Sequence, residues 1–212
     1  MKITKSSTRT QARERISEFI FSAQICPGER INESDLARRL GVSQTPIREA
    51  LLSLEGNGLL TTYPDKGFFL KPLEIEEIRN LYPVLAHLET LALSLVPEFS
   101  SQKIDRMRAI NKQMARAVGE KASQLDEAWH AEMLKDCGNE YLIQTIRRTR
   151  LDMQRYETFF FHAGGSAIDS SVEHDQIADL LEQGNRADAQ ALLEQNCLKT
   201  IDAICTWLED QG

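Results

Sequence analysis

Asp126 and His130 stand four residues apart, a spacing that puts a carboxylate and an imidazole on one face of a helix. His174 lies farther along, near the start of a later helix and in phase with Ile177 and Leu181. One carboxylate oxygen and two imidazole nitrogens suit a borderline divalent ion such as Zn²⁺, Ni²⁺ or Mn²⁺. An Asp-x-x-x-His pair also serves as an ordinary i,i+4 surface pair, so the spacing leaves both readings open. A second set of residues is polar and basic. Ser43, Gln44, Thr45 and Arg48 project outward near the start of a helix whose other face is Ile47, Leu51 and Leu54. Short polar and basic side chains at the N-terminal end of a helix can reach base edges and phosphates in a DNA major groove.

The elements around the second set predict a helix-turn-helix followed by a hairpin. Leu36 and Leu40 share the inner face of a short helix, Gly41 ends it, and Ser43 can cap the next one. Pro46 sits in that helix's first turn, where its missing N–H removes little. Gly56 and Gly58 close the helix. Leu59, Thr61 and Tyr63 alternate into a strand, Pro64-Asp65-Lys66-Gly67 turns the chain, and Phe68 to Leu70 returns it. This is the pattern of a winged helix-turn-helix, with Lys66 and Gly67 at the tip of the wing. Ahead of it, Ala12, Ile16, Phe19 and Ile20 predict a first amphipathic helix.

From residue 74 onward the periodicity is helical throughout. Breaks near Pro97, Glu120, Gly138, Gly164-Gly165 and Gly184 divide it into six helices, spanning roughly 74–96, 101–118, 122–136, 139–162, 171–183 and 186–210. The fold class is therefore mainly α. A winged helix-turn-helix over 1–72 precedes an all-α bundle over 73–212, with the boundary at Pro72. Phe159-Phe160-Phe161 spans too wide an arc for one helix face, which predicts that part of it packs between domains or subunits. Trp129 and Trp207 read as core, and His87 and His162 as surface or core histidines.

Charge divides along the same line. The whole chain carries a net charge of −7, yet residues 1–72 hold 11 Lys/Arg against 8 Asp/Glu, leaving 14 against 24 for the remainder. The positive share belongs to the half with the groove-reading helix, as phosphate neutralisation requires. A hydrophobic fraction of 42% supplies an ordinary packed core. No apolar run approaches the ~18 residues a membrane helix needs, and the N-terminus lacks the apolar centre of a signal peptide. Cys26, Cys137, Cys197 and Cys205 have no paired spacing, which points to reduced thiols in a cytoplasm.

Residues 36–70, LARRLGVSQTPIREALLSLEGNGLLTTYPDKGFFL, resemble the DNA-binding domain of the GntR family of bacterial transcription regulators, with its LA-x-x-LGVS-x-TP-x-REAL-x-x-L-x-x-x-GL pattern. The upstream PGERINESDLA is similar to the family's PG-x-x-L-x-E-x-x-LA. The rest resembles the helical FCD-type sensor domain of the FadR-like branch, and six helices resemble its smaller, VanR-like version. WHAEMLKDCGNEYL at 129–142 is similar to FH-x-x-L-x-x-x-x-GN-x-x-L, and EHDQIADLLEQGN at 173–185 to EH-x-x-I-x-x-A-x-x-x-GD. The resemblance places Asp126, His130 and His174 at three metal ligands and implies a third histidine where this chain has Asn196. An amide oxygen is a weaker ligand than imidazole for these ions, so the resemblance implies a site weakened, completed by Asn196 and water, or lost. Cys197, one residue along, falls on the Leu193–Ile201–Ile204 core stripe.

The resemblance also implies an effector cavity. Its usual Arg, four residues before the Glu of the first sensor helix, is Leu85 here, with Glu89 retained. That lowers the expectation of an organic-acid effector. Arg147, Arg148, Arg150 and Arg155 lie on the fourth sensor helix, of which Arg155 and Arg148 are the candidates to face the cavity. The expected function is a ligand-responsive, homodimeric DNA-binding regulator acting on a palindromic operator. Gln44 stands where the family often has Arg, and Gln favours adenine where Arg favours guanine. Two alternatives stand beside this: a metal-dependent enzyme using Asp126, His130 and His174, and a constitutive DNA-binding dimer without effector.

Overall fold

The computed structural model describes residues 15–16, 19, 25–56, 58–118, 120–163 and 168–211. The chain divides into two compact units, Met1–Leu73 and Glu74–Gly212. Among the described residues it is mainly helical, with one small sheet in the first unit.

In the first unit, α1 (Glu33–Leu40) begins at Asn32, whose side-chain oxygen accepts the Asp35 N–H at 3.0 Å. It ends at Gly41 with φ 66°, the left-handed conformation that glycine adopts cheaply, and the Val42 N–H closes onto Ala37 O at 3.1 Å. Helix α2 (Gln44–Gly56) follows after Ser43, with Ile47, Ala50, Leu51 and Leu54 buried. Strands β1 (Leu60–Tyr63) and β2 (Gly67–Leu70) pair antiparallel, Leu60 against Leu70 and Tyr63 against Gly67. The expected alternation from Leu59 shifts by one residue. Leu59 and Leu60 are both buried, because the strand begins only at Leu60 and Leu59 still caps the core under α2. A third segment adds to the wing through a bridge from Arg30 to Phe69. Of the first amphipathic helix, Ile16 is buried and Phe19 half-buried, with the Arg39 guanidinium 5.2 Å over its ring. Ala12 and Ile20 lie outside the described residues.

The second unit holds α3 (Ile75–Leu95), α4 (Ser101–Met114), α5 (Glu120–Leu134), α6 (Glu140–His162), α7 (Ile168–Glu182) and α8 (Arg186–Gln211). Neighbours close a ring: α3 packs on α8, α8 on α7, α7 on α4, α4 on α5, α5 on α6, and α6 back on α3. The inward side chains of all six helices therefore share one interior.

Two ends differ from the periodicity. Helix α4 stops at Met114 rather than near 118. Helix α7 begins at Ile168 rather than 171, so Ser171 sits inside it and its carbonyl accepts the Asn111 amide at 2.7 Å. The break expected at Gly164-Gly165 lies outside the described residues.

The three phenylalanines find partners inside this unit. Phe159 is buried, Phe160 packs edge-on to Trp207 with centroids 6.0 Å apart, and Phe161 rests on the Met114–Ala122–Leu125 cluster. Neighbouring helices absorb part of the wide arc they span, and Phe160 and Phe161 remain half-buried. Trp129 is fully buried, Trp207 only partly. Cys197 is buried on the stripe of Leu193, Ile201 and Ile204. His87 is exposed, 2.8 Å from Pro83 O through Nδ1, and the His162 side chain lies outside the described residues. All four cysteines are free thiols. Among the described residues no helix is long and apolar enough to cross a membrane.

Candidate functional site

The interior of the helical ring is polar at its centre. Helix α5 presents Asp126 and His130, and α7 presents His174. The three offer ligand atoms that all lie within 4.8 Å of one another. His174 Nε2 is 3.7 Å from Asp126 Oδ1, and His130 Nε2 is 3.8 Å from Asp126 Oδ2. Trp129 stacks flat on the His174 ring, centroids 3.7 Å apart and planes 1° from parallel, which fixes the imidazole's orientation.

His174 is completely buried, and neither of its ring nitrogens has a hydrogen-bond partner among the described residues. Burial pulls its pKa down to about 3 against the opposing pull of Asp126, so the ring is neutral and keeps a lone pair to give. An orphaned, neutral, fully buried imidazole facing a carboxylate is costly unless something completes it. Its donor set fits the borderline divalent ions.

Around this trio sit Glu89 of α3 and Arg150 of α6. Glu89 is fully buried; its Oε1 accepts Arg150 Nε at 2.6 Å, and its Oε2 stands 2.8 Å from His130 Nδ1, off the line of a hydrogen bond. Burial alone would raise the carboxyl's pKa. Arg150 and His130 outweigh it and hold the value at about 2. A carboxylate behind one histidine nitrogen is the arrangement that leaves the other nitrogen for a metal. Arg150 Nη1 also lies 3.5 Å from Asp126 Oδ2, so this guanidinium competes for the oxygen that a metal would use. Glu157 on α6 completes the polar interior. Its carboxyl takes hydrogen bonds from Tyr82 OH at 3.4 Å and Ser123 Oγ at 3.2 Å. Burial and the nearby Asp126 push its pKa to about 7.

A cavity of about 180 Å³ opens beside this centre, with Glu89, His130, Arg147 and Arg150 in its wall and Leu134, Ile143 and Ile146 as apolar lining. Two of the arginines expected there are elsewhere. Arg155 is fully buried, but its guanidinium pairs with Glu77 and lies 3.1 Å from Tyr156 OH near the start of α3. Arg148 is exposed and does not line the cavity. Arg150 takes the place expected for them. It falls in phase with Ile146 and Met153, both buried, so the stripe on α6 already marked it. Asn196 is buried on α8, and its amide nitrogen donates to Glu173 Oε2 at 2.7 Å, a carboxylate that also takes the Lys199 ammonium. Its NH₂ group is thus turned to Glu173.

On the first unit, Ser43, Gln44, Thr45 and Arg48 are all exposed at the start of α2. Gln44 Nε2 donates to Ser34 Oγ on α1 at 2.9 Å. Lys66 is exposed, and Gly67 has φ 84° where the turn enters β2.

Comparisons with known proteins agree with this architecture. Residues 8–70 match a family model described as bacterial regulatory proteins, gntR family, and residues 80–197 match the FCD domain. The Nta operon transcriptional regulator of Aminobacter aminovorans is 39% identical over 184 residues, covering 84% of this chain and 85% of that protein. An uncharacterized HTH-type transcriptional regulator of Bacillus subtilis, YdhC, is 27% identical over 187 residues, covering 83% and 81%. Among solved structures, E. coli McbR/YncC superposes with a TM-score of 0.75 at 17% identity, over 95% of this chain and 99% of that one. A putative GntR regulator from Rhodococcus sp. RHA1 gives 0.74 at 19%, over 93% and 97%.

Proposed function

The chain belongs to the GntR family of bacterial transcription regulators and carries an FCD domain, and from that premise we propose that a small molecule in the helical unit controls its affinity for DNA. The observation that carries this is the buried centre of Glu89, Asp126, His130, Arg150 and His174, set beside a cavity. A bundle that only dimerised would gain more from apolar residues at these positions, because buried charges contribute little net stability. A ligand that binds one arrangement of the bundle better than another shifts operator affinity by that difference.

In this reading residues 1–72 are the DNA-binding domain and 73–212 the effector-sensing and dimerisation domain. Ser43, Gln44, Thr45 and Arg48 read the groove or its phosphates, and Lys66 and Gly67 sit at the wing. Two copies meet a palindromic operator, since one winged helix spans too few base pairs for useful specificity. Asp126, His130 and His174 would hold a divalent ion, which would supply Lewis acidity toward an oxygen-bearing effector, with Glu89 and Arg150 beside these residues. The protein acts as a binding protein rather than an enzyme, in the cytoplasm where its DNA is.

The test is selection of bound fragments from genomic DNA with the purified full chain, followed by operator titration against compounds suggested by the adjoining genes. One enriched palindrome whose affinity moves with a compound supports the proposal. An operator affinity that no compound or added divalent ion changes would favour a constitutive DNA-binding protein.

A further inference from the structure

The wing carries a polar outer face that the contacts above do not use. In an antiparallel ladder, residues opposite one another share a face, and so do residues two apart on one strand. Tyr63 lies opposite Gly67, Thr61 opposite Phe69, and Arg30 bridges to Phe69 from the other side. These five positions therefore share the outer face, while Leu60, Phe68 and Leu70 are buried on the inner one.

The Arg30 segment is firmly placed. Ile31 N–H donates to Phe68 O at 2.8 Å, and Leu70 N–H to Glu29 O at 3.0 Å. Arg30 itself is exposed, and its guanidinium extends to Gly67, where a Cβ would meet Nη2 at 3.8 Å. That brings a second cation beside Lys66 at the turn. Tyr63 is half exposed, with its ring held edge-on to Phe69 at 5.2 Å. Two nearby carboxylates are engaged with other groups: Glu29 takes the Cys26 N–H at 3.0 Å, and Glu55 takes the Thr62 hydroxyl at 2.7 Å. Asp65 is the exposed acid of the turn.

We propose that this outer face of the wing, through the Arg30 guanidinium and the Tyr63 hydroxyl, grips the sugar-phosphate backbone of DNA. The inference rests on the DNA-binding reading and extends it from the wing tip to a sheet face. A planar guanidinium and a phenol held by its ring are both donors suited to phosphate oxygens. The contact carries no base information, so it acts on duplexes of any sequence.

The experiment measures the full chain on a mixed-sequence duplex across a salt series, with thermal unfolding as a check on each variant. Arg30→Gln should lower the slope of log affinity against log salt by about 0.9, the loss of one phosphate contact. Arg30→Lys should keep the slope. Tyr63→Phe keeps the ring packing and should weaken binding about ten- to a hundredfold, the range of one hydrogen bond to a charged group, with the slope unchanged. Folded Arg30→Gln and Tyr63→Phe variants that match the parent, while Arg48→Ala binds more weakly, would overturn this proposal and leave the DNA-binding reading intact. A parent protein with no salt-dependent binding to any duplex would overturn both.

Discussion

Glu89 is a carboxylate without solvent access, and its charge survives because Arg150 and His130 stand against it. Its pKa lies near 2 in the fold and rises when the chain unfolds. The stability it contributes is therefore present above its unfolded value and lost as pH falls toward about 2. His174 acts in the same direction. Its folded value near 3 lies below that of a free imidazole, so the unfolded chain takes up its proton first and stability falls as pH drops below about 6.5. Glu157, raised to about 7, works the other way and offsets His174 down to the free glutamate value near 4.5, so denaturation midpoints should decline mainly from about pH 4.5 to 3, and His174→Phe should make that decline shallower. Arg150→Met leaves Glu89 buried with half its partners, and should cost about 3–5 kcal/mol by urea unfolding.

The metal is tested at the same residues. Titration calorimetry with Zn²⁺ or Ni²⁺ should show binding that His130→Ala and His174→Ala each abolish. Asn196→His, which gives up the bond to Glu173 and offers an imidazole, should raise affinity about tenfold or more. Equal heats in parent and histidine variants would remove the ion from the site.

Among the elements, α6 does two jobs. One stretch turns Arg150 to the polar centre; nearly two turns later Tyr156 anchors the start of α3. The Tyr156 hydroxyl accepts the Glu74 N–H at 3.1 Å and donates to Glu77 Oε2 at 2.8 Å. Burial lifts the phenol's pKa to about 12, so it remains a donor across the working range. Tyr156→Phe strands those partners and should destabilise the chain by about 1–3 kcal/mol in chemical denaturation. In the helix-turn-helix, Gly41 has open space around it, so Gly41→Ala pays only for the left-handed backbone, about 1–2 kcal/mol. Helix α2 presents Arg48 at its exposed start. Arg48→Ala should weaken operator binding by about 1–3 kcal/mol, and Gln44→Arg should move one base of each half-site toward guanine in a selection experiment.

For the whole molecule the decisive measurement is its association state. Sedimentation of the full chain at micromolar concentration should give a dimer, with or without operator. The Phe159–Phe161 run makes contacts within the helical unit, which leaves Phe160 and Phe161 half-buried. What supports the dimer is the operator argument, together with apolar side chains that remain exposed on α3, among them Val84, Leu91 and Leu95.

Local rules were enough to read the helix-turn-helix, the wing and the six-helix order from residues alone. Gly41 and Gly67 act through their own backbone, and period-3.6 stripes such as Ile47–Leu51–Leu54 state which face is buried. The i,i+4 spacing of Asp126 and His130 likewise put them on one face before any partner was known. Bringing His174 to that face was a different matter. It depends on how α7 and α5 pass one another across the ring, a long-range geometry that spacing along the chain does not carry. The same holds for the arginines of α6. Four lie within nine residues, and only the packing of α3 and α5 against that helix decided that Arg150 meets Glu89 and Asp126 while Arg155 turns to Glu77. Asn196 is the last case: its residue type marked a departure from a histidine ligand, but its amide goes to Glu173 because α7 and α8 are neighbours. Periodicity assigns a side chain to a face; which charges meet there is settled by the angles between helices.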